Sequence, residues 1–281
     1  PGAMILGDNA TPEAIAAKNH ELGYDLPRYQ QYLRYIKDLA FKGSLGVSWR
    51  NGTSVAQEIG ERLPVSFLLA FSSMAFACIV GVPIGVFSAV KQYTVGDSVA
   101  VTVSILASAI PGFWLGMMLM YAFSVKLGWL PSSGWDSWKN LVMPTIAVGF
   151  AYLAQNMRYA RSSMLETIRQ DYIRTARAKG TPERKVIWKH AFLNAILPVI
   201  TIVGVNFGAV LGGAVINEKL FNLPGIGTWL VQGVKSKDIP VVMGGTIVLS
   251  VLYCLNVLIV DLLYAYCNPR IKAKYIREAQ K

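Results

Sequence analysis

Long apolar runs separated by short polar stretches dominate the pattern along this chain. A helix needs ~20 residues to cross a bilayer, and five runs reach that length. They cover residues 64–90, 99–125, 141–160, 193–216 and 241–266. Pro83, Pro111 and Pro198 interrupt them, which membrane helices tolerate because neighbouring groups satisfy the freed backbone. The pattern predicts an all-α, polytopic membrane protein with five transmembrane helices in this sequence.

Composition and charge support this class. Hydrophobic residues make up 53% of the 281 residues and charged residues only 15%, against roughly 25% charged in soluble domains. With the five spans in place, one side carries 15 Lys and Arg and the opposite loops carry 5. The positive-inside rule then predicts that the loop 162–192 and the C-terminus are cytoplasmic. The net charge of +11 is explained by this clustering between spans, rather than by nucleic-acid binding.

This orientation divides the chain into an extracytoplasmic segment, 1–63, and a transmembrane domain, 64–281. The sequence starts at Pro1 with no signal-like run, although residues 1–63 must have been carried across the membrane. We therefore expect a further membrane helix before Pro1, which would give six spans.

Two helices are predicted in the outer segment. Thr11 and Pro12 form a cap and first-turn pair, and Gly23 is a plausible stop. A second helix runs from Pro27 to about Gly43. Its apolar face consists of Tyr29, Tyr32, Leu33, Ile36, Leu39 and Ala40. That face can lie at the membrane interface or pack on the spans, and packing is the preferred interpretation.

The stretch "DYIRTARAKG", residues 171–180, is a basic segment between two apolar runs. Gly180 is predicted to end one helix, and Thr181, Pro182 and Glu183 to begin another. The first of these helices is amphipathic, and one of its sides carries Tyr172, Ile173 and Ala176. A topology signal resting on anionic lipid accounts for the charge but not for the helix–glycine–helix pattern. The pattern favours a docking surface for a cytoplasmic partner.

"DYIRTARAKG" followed by "HAFLNAILP" resembles the EAA loop of ABC importer permeases, most closely the B-type subunit of the peptide and nickel importer branch. The family pattern is E-A-A-x3-G, then nine residues, then I-x-L-P. Here Arg174, Thr175 and Ala176 stand at E-A-A, Gly180 at the glycine, His190, Ala191 and Phe192 at I-x-L, and the proline is displaced to Pro198. Arg174 and His190 depart from the general pattern. The phrase from Ser162 to Gly180 is more specific to the branch.

Other segments resemble the same branch, so the similarity covers the whole chain. "EKLFNLPGIG" resembles its outer loop between the last two spans, "NPRI" at 268–271 its C-terminal ending, and Pro1-Gly2 the stretch after its first helix. The outer-loop residues singled out are Glu218, Phe221, Pro224, Gly225 and Gly227.

The resemblance implies that the EAA loop forms coupling helices, which sit in a groove of an ATP-binding subunit and move the spans. The residues it assigns to this loop are Asp171, Tyr172, Arg174, Thr175, Ala176, Arg177, Ala178, Lys179, Gly180 and His190. It implies as partners a second permease, two ATPase subunits and an extracytoplasmic solute-binding protein. It places the protein in the bacterial inner membrane, with peptides as the leading cargo and nickel chelates or glutathione as alternatives.

No residue of this chain is predicted to be catalytic or to ligate a metal. The sequence has no G-K dipeptide and therefore no P-loop, so ATP and Mg²⁺ are expected on partner subunits. A competing class is the ion-coupled secondary transporter, which often places carboxylates near the midplane. Asp261 is the only carboxylate within the five runs, and it falls close to the end of the last one. A membrane anchor without a path is a further alternative.

Small residues mark the fourth span. Gly204, Gly208 and Gly212 recur every four residues, which lets helices approach closely. The simpler interpretation is that these glycines only allow close packing against a neighbouring helix. The more specific interpretation is that this span lies beside the translocation path, with Asn206 lining the path. The stretch 222–233 is apolar but too short to cross, so it is either a short re-entrant or interfacial helix or a surface loop anchored by Trp229.

Overall fold

The computed structural model describes residues 2–7 and 10–267, apart from the side-chain surroundings of positions 213 and 267. Over these residues the protein is all-α, and its only strand-like feature is an isolated antiparallel bridge between Val47 and Ser54. The helices are α1 (Gly2–Leu6), α2 (Pro12–Leu22), α3 (Arg28–Lys42), α4 (Val55–Val90), α5 (Val95–Ala109), α6 (Gly112–Leu119, continued by a π-helix Met120–Lys126), α7 (Lys139–Ile168), α8 (Asp171–Ala178), α9 (Glu183–Lys185, continued by a π-helix Val186–Ala191), α10 (Phe192–Gly213), α11 (Val215–Leu220), α12 (Ile226–Lys235) and α13 (Ile239–Cys267).

The chain forms two compact units, which divide within α4 and within α13. The first comprises Pro1–Ser66 and Pro224–Val251, and the second comprises Phe67–Leu223 and Leu252–Lys281. The predicted division at residue 63 stays a prediction, because these units are defined by contacts and not by the membrane. The structure adds to the first unit a second segment, which contains α12 and the start of α13.

The predicted helices of the outer segment are present in the first unit. The Thr11 hydroxyl accepts a hydrogen bond from the Ala14 amide, and Gly23 ends α2 with a left-handed φ of 74°. Gly43 ends α3 in the same way, with φ 61°. The apolar face of α3 does not pack as preferred, however: Tyr29 and Tyr32 are 63% and 65% exposed.

A carboxylate ties the two segments of the first unit together. Asp238 is buried and accepts hydrogen bonds from the Ser48 hydroxyl at 2.6 Å, the Trp49 amide at 3.2 Å and the Arg50 amide at 3.3 Å. A buried carboxylate of this kind is stable because several donors replace its lost hydration.

Glycines let α4 and α7 approach closely in the second unit. A Cβ added at Gly81 would lie 2.5 Å from the Leu153 carbonyl oxygen, and one at Gly149 would lie 2.7 Å from the Ser73 carbonyl oxygen. A Cβ at Gly85 would collide with the Met157 carbonyl oxygen. Small residues therefore set this contact, as is common in membrane helices.

Among the described residues, three helices are long and apolar enough to cross a membrane, and a bent pair makes up to four. The three are Val55–Val90, Glu183–Gly212 and Ile239–Tyr266. The pair, Val95–Ala109 and Gly112–Lys126, bends by 96°. The predicted run 99–125 is therefore not one straight helix, because Pro111 lacks an amide hydrogen to continue α5. The predicted run 141–160 lies within α7, which is not among these helices, so the count of five stays a prediction.

Candidate functional site

The basic segment forms a helix, a glycine corner and a second helical stretch. Asp171–Ala178 is helical, and Gly180 follows with φ 74°, the left-handed conformation that glycine adopts readily. The Thr181 amide donates to the Ala176 carbonyl at 3.2 Å, which closes the end of α8. The predicted glycine corner is confirmed.

The second helical stretch differs from the prediction in two respects. Its N-cap is Pro182 rather than Thr181, and no side chain caps it. It is also not a separate element, because Glu183–Gly212 runs as one helix of 30 residues. The loop is thus joined directly to the predicted fourth span.

An ion pair closes the corner on its outer side. Arg177 donates to both carboxylate oxygens of Glu183, from Nη2 at 2.7 Å and from Nε at 3.1 Å. Hydrogen bonding to Arg177 lowers the pKa of the Glu183 carboxyl below its ordinary value of 4.5. The pair therefore bridges the two sides of the corner by a charge-assisted, two-point contact at the surface.

The inner side of this segment belongs to an apolar cluster of the second unit. Ile173 of α8, together with Val186 and Ala191 of the following helix, is fully buried. The same cluster contains residues of α4, α7 and α10: Val82, Val86, Ala89, Ala160, Met164, Ala195 and Val199. Ile173 therefore packs α8 against side chains of all three helices.

The outer side is exposed and charged. The side chains of Arg174 and Asp171 are 73% and 97% exposed, and Lys179 and Gly180 are exposed as well. Tyr172 is 45% exposed, so it does not share the buried side of α8 that Ile173 occupies, contrary to the predicted apolar face. His190 is half-buried, and its backbone carbonyl accepts a hydrogen bond from the Asn194 side chain.

The glycine stripe of α10 divides into packed and open positions. A Cβ at Gly204 would overlap Val260, and one at Gly208 would lie 2.8 Å from the Asn256 amide nitrogen, both on α13. A Cβ at Gly212 would meet nothing within 4 Å. Packing against α13 accounts for the first two glycines but not for the third.

Asn206 makes a hydrogen bond to a polar residue that the sequence analysis did not single out. Its Nδ2 donates to Gln155 Oε1 of α7 at 3.1 Å. Gln155 also lines an open cleft with Arg158 and Ser108. The signal for these residues was available, since a glutamine and an arginine inside a predicted span are unusual.

The outer-loop residues fall into the two units. Glu218 and Phe221, at the end of α11, are 1% exposed. Gly225 caps the start of α12, and Gly227 is buried within it. The stretch 222–233 therefore contains a short helix, as one prediction had it. Trp229 is only 7% exposed and packs in an apolar cluster of the first unit, so it does anchor this stretch, as a helix and not as a loop.

Similarity to known proteins extends over nearly the whole chain. Residues 81–273 match the family described as "Binding-protein-dependent transport system inner membrane component". The glutathione transport system permease protein GsiC of Escherichia coli K12 is 39% identical over 98% of this chain and 89% of its own length. The dipeptide transport system permease protein DppB of Alkalihalophilus pseudofirmus is 39% identical over 97% of this chain and 90% of its own.

A solved structure of the inward-facing MetNI methionine ABC transporter has the same fold. It superimposes with a TM-score of 0.63 over 75% of this chain and 97% of its own, at 17% identity. The similarity in fold and the similarity along the full sequence agree. This chain belongs to the family of binding-protein-dependent transport system inner membrane components, and it is a permease subunit of an ATP-binding-cassette importer.

Proposed function

We propose that this permease imports short peptides. The observation that carries the proposal is the 39% identity along almost the full chain to permeases named for dipeptide and for glutathione. Glutathione is itself a tripeptide, so both cargoes share amide groups and free carboxylates. Di- and tripeptides, including γ-linked ones, form the cargo class that includes both of the cargoes named for these relatives.

The segment 162–192 is proposed as the joint that couples ATP hydrolysis to transport. Its exposed side carries the charged residues Asp171, Arg174 and Lys179, which are accessible to another subunit. Its buried side, at Ile173 and Val186, enters the cluster shared by α4, α7 and α10. A two-sided element of this kind passes motion from a docked partner to three helices through contiguous packing.

The partners proposed are a second permease, two ATP-binding subunits that hold ATP and Mg²⁺, and an extracytoplasmic solute-binding protein. The absence of a P-loop from this sequence supports placing the ATP-binding sites on other chains. In the proposed orientation the segment 162–192 and the C-terminus face the cytoplasm, where ATP is available. Closure of the ATPase pair would then move α8 and open the path outward.

Purification of the tagged protein from its native host in mild detergent, with subunits identified by mass spectrometry, tests the assembly. Recovery of a second permease and of P-loop ATPases is expected. Reproducible recovery of this chain alone, even after crosslinking, would contradict the ATP-driven assembly and favour an ion-coupled carrier.

Uptake into proteoliposomes tests the cargo. With the recovered binding protein, dipeptide or glutathione should accumulate only with ATP. Transport of a nickel chelate, with no uptake of any di- or tripeptide, would overturn the peptide assignment.

A further inference from the structure

Arg158 lies in α7 and is held against α5 by one of its terminal nitrogens. Nη1 donates to the Ser104 carbonyl at 3.0 Å and to the Ser108 hydroxyl at 2.6 Å. The side chain is half-buried. These two contacts fix the plane of the guanidinium group, because an arginine head is rigid once one of its nitrogens is held.

Beside the guanidinium is an open cleft of about 510 Å³. Its lining residues are Ser108, Ala151, Gln155, Arg158, Tyr159 and Ser162. Within the described part of the chain, Nε and Nη2 of Arg158 have no hydrogen-bond partner, although arginine has five N–H donors. The wall of the cleft therefore contains a guanidinium group that is fixed in position and has N–H donors available for a further acceptor.

The remaining polar groups of the cleft extend it toward α10. Gln155 Oε1 accepts from Asn206 Nδ2 at 3.1 Å, so α5, α7 and α10 contribute to one polar region. Serine and tyrosine hydroxyls from Ser108, Tyr159 and Ser162 complete the lining. The region offers donors and acceptors for amide groups as well as one cation.

No carboxylate neutralises Arg158 within this lining. The neighbouring arginine of α7, Arg161, is paired with Asp97, and no such pair forms at Arg158 among the described residues. Both groups that Arg158 contacts, the Ser104 carbonyl and the Ser108 hydroxyl, are uncharged. An anion that enters the cleft would balance the charge of the guanidinium.

We propose that this cleft, the Arg158 cleft, binds a free carboxylate of the cargo during its passage. A guanidinium whose Nε and Nη2 are free can hold a carboxylate by two parallel hydrogen bonds, while Gln155 and the hydroxyls contact the peptide amide groups. This inference rests on the proposed peptide import and names the group that the path recognises. The competing role is structural, in which Arg158 only pins α5 to α7.

Thiol modification tests the cleft without depending on transport. Ala151 lines the cleft and lies 7 residues from Arg158 on α7, about 10 Å along the helix. In the assembled complex in lipid nanodiscs, with Cys78, Cys254 and Cys267 replaced by serine, Ala151→Cys is treated with methanethiosulfonates bearing a sulfonate or a quaternary ammonium. We expect the anionic reagent to be favoured over the cationic one, and Arg158→Gln to reduce that ratio about tenfold.

The controls separate charge at the cleft from charge elsewhere. Arg34→Gln removes an equal charge from the exposed surface of α3 and should leave the reagent ratio unchanged. Equal ratios with and without Arg158, or a cysteine at 151 that neither reagent reaches, would overturn the proposal.

Competition identifies the source of the anion. Peptide delivered by the binding protein should slow the modification of Cys in Ala151→Cys, and Arg158→Gln should abolish this protection. Protection that depends on the fraction of anionic lipid in the nanodisc, and not on peptide, would show a lipid phosphate in the cleft and contradict the cargo assignment.

Uptake measurements then distinguish cargo recognition by Arg158 from a purely structural role in holding α5 against α7. Arg158→Gln should lower the rate of peptide uptake roughly tenfold, while Arg158→Lys should retain part of it because the charge remains. Assembly of the complex should stay intact in both. Equal loss in Arg158→Lys and Arg158→Gln, with unchanged reagent ratios, would indicate a structural role alone. If the wild-type complex transports no peptide, the proposed function fails, whereas the reagent ratio still reports on the cleft.

Discussion

Asp97 at the start of α5 and Arg161 in α7 form a two-point ion pair, with Nε–Oδ1 at 2.7 Å and Nη2–Oδ2 at 2.9 Å. Asp97 is almost fully buried, and Ser88 of α4 also donates to it. The pair joins the turn between α4 and α5 to the helix that leads into α8. It therefore stabilises the contact between α5 and the end of α7, from which the chain continues into the proposed coupling segment.

Removing one partner of this pair should destabilise the protein strongly. Asp97→Asn leaves the Arg161 guanidinium half-buried without its counter-ion, which we expect to cost about 3 kcal/mol of folding free energy. The measurement is the thermal unfolding midpoint of the purified complex in detergent. Asp136→Asn, on an exposed loop, should leave the midpoint unchanged. Equal midpoints for the Asp97 and Asp136 variants would contradict the assigned role of the pair.

Gly85 and Gly60 lie on the same helix but in opposite surroundings. Gly85→Ala places a methyl group against the Met157 carbonyl and 2.8 Å from the Ala160 Cβ, so α4 and α7 must separate. We expect a loss of roughly 1–3 kcal/mol, measured as a lower midpoint in the same unfolding assay. Gly60 has nothing within 4 Å of an added Cβ, and Gly60→Ala should be neutral or slightly stabilising because alanine favours helix. A lower midpoint for Gly60→Ala than for Gly85→Ala would refute the packing argument.

Local signals in the sequence were sufficient for the short helices. Thr11, Pro12 and Gly23 bracket α2 as predicted, and Gly180 takes the left-handed conformation at the corner of the coupling segment. These outcomes depend on hydrogen bonds between residues a few positions apart. They could be predicted because capping and glycine conformations are local properties.

The effect of each proline on its helix, and the polar pairs between distant residues, depend on tertiary contacts that the sequence alone does not predict. Pro198 and Pro144 stay inside continuous helices, whereas the helix breaks at Pro111 and the pair bends by 96°. The pairing of Arg161 with Asp97, 64 positions apart, and of Asn206 with Gln155, 51 apart, leaves no local pattern. The Arg158 cleft is lined by residues of both α5 and α7, so Arg158 and Gln155 were visible as unusual residues of a predicted span but the cleft beside them was not.

The Arg177–Glu183 ion pair predicts how the corner responds to acid. The pKa of Glu183 is lowered from 4.5 in the folded protein, so the pair stabilises the corner above that value and is lost as pH falls through the lowered pKa. Around neutral pH the corner should be insensitive to pH. A spin label on Lys179→Cys, with the native cysteines replaced by serine, should become more mobile only in acid or in high salt, since the pair is solvent-exposed. Glu183→Gln should be mobile throughout, and a pH-dependent label in that variant would contradict the mechanism.

Gly180 offers the sharpest test of coupling because its constraint is purely conformational. Its φ is 74°, and an added Cβ would meet nothing within 4 Å, so a substitution acts on the backbone and not on packing. Valine disfavours this conformation by about 1–2 kcal/mol or more, which should open the corner between α8 and α9. Asparagine is the matched control because it tolerates the left-handed region.

In Gly180→Val, we expect ATP-dependent uptake to fall about tenfold or more, while membrane insertion and subunit recovery match the wild type. Gly180→Asn should keep most of the uptake. The measurement is peptide accumulation in proteoliposomes beside the ATPase rate of the same preparation, since uncoupling lowers the ratio of peptide moved to ATP hydrolysed. Wild-type accumulation in Gly180→Val would mean that the corner geometry is not needed for coupling, and would leave the basic segment with the simpler role of a topology signal.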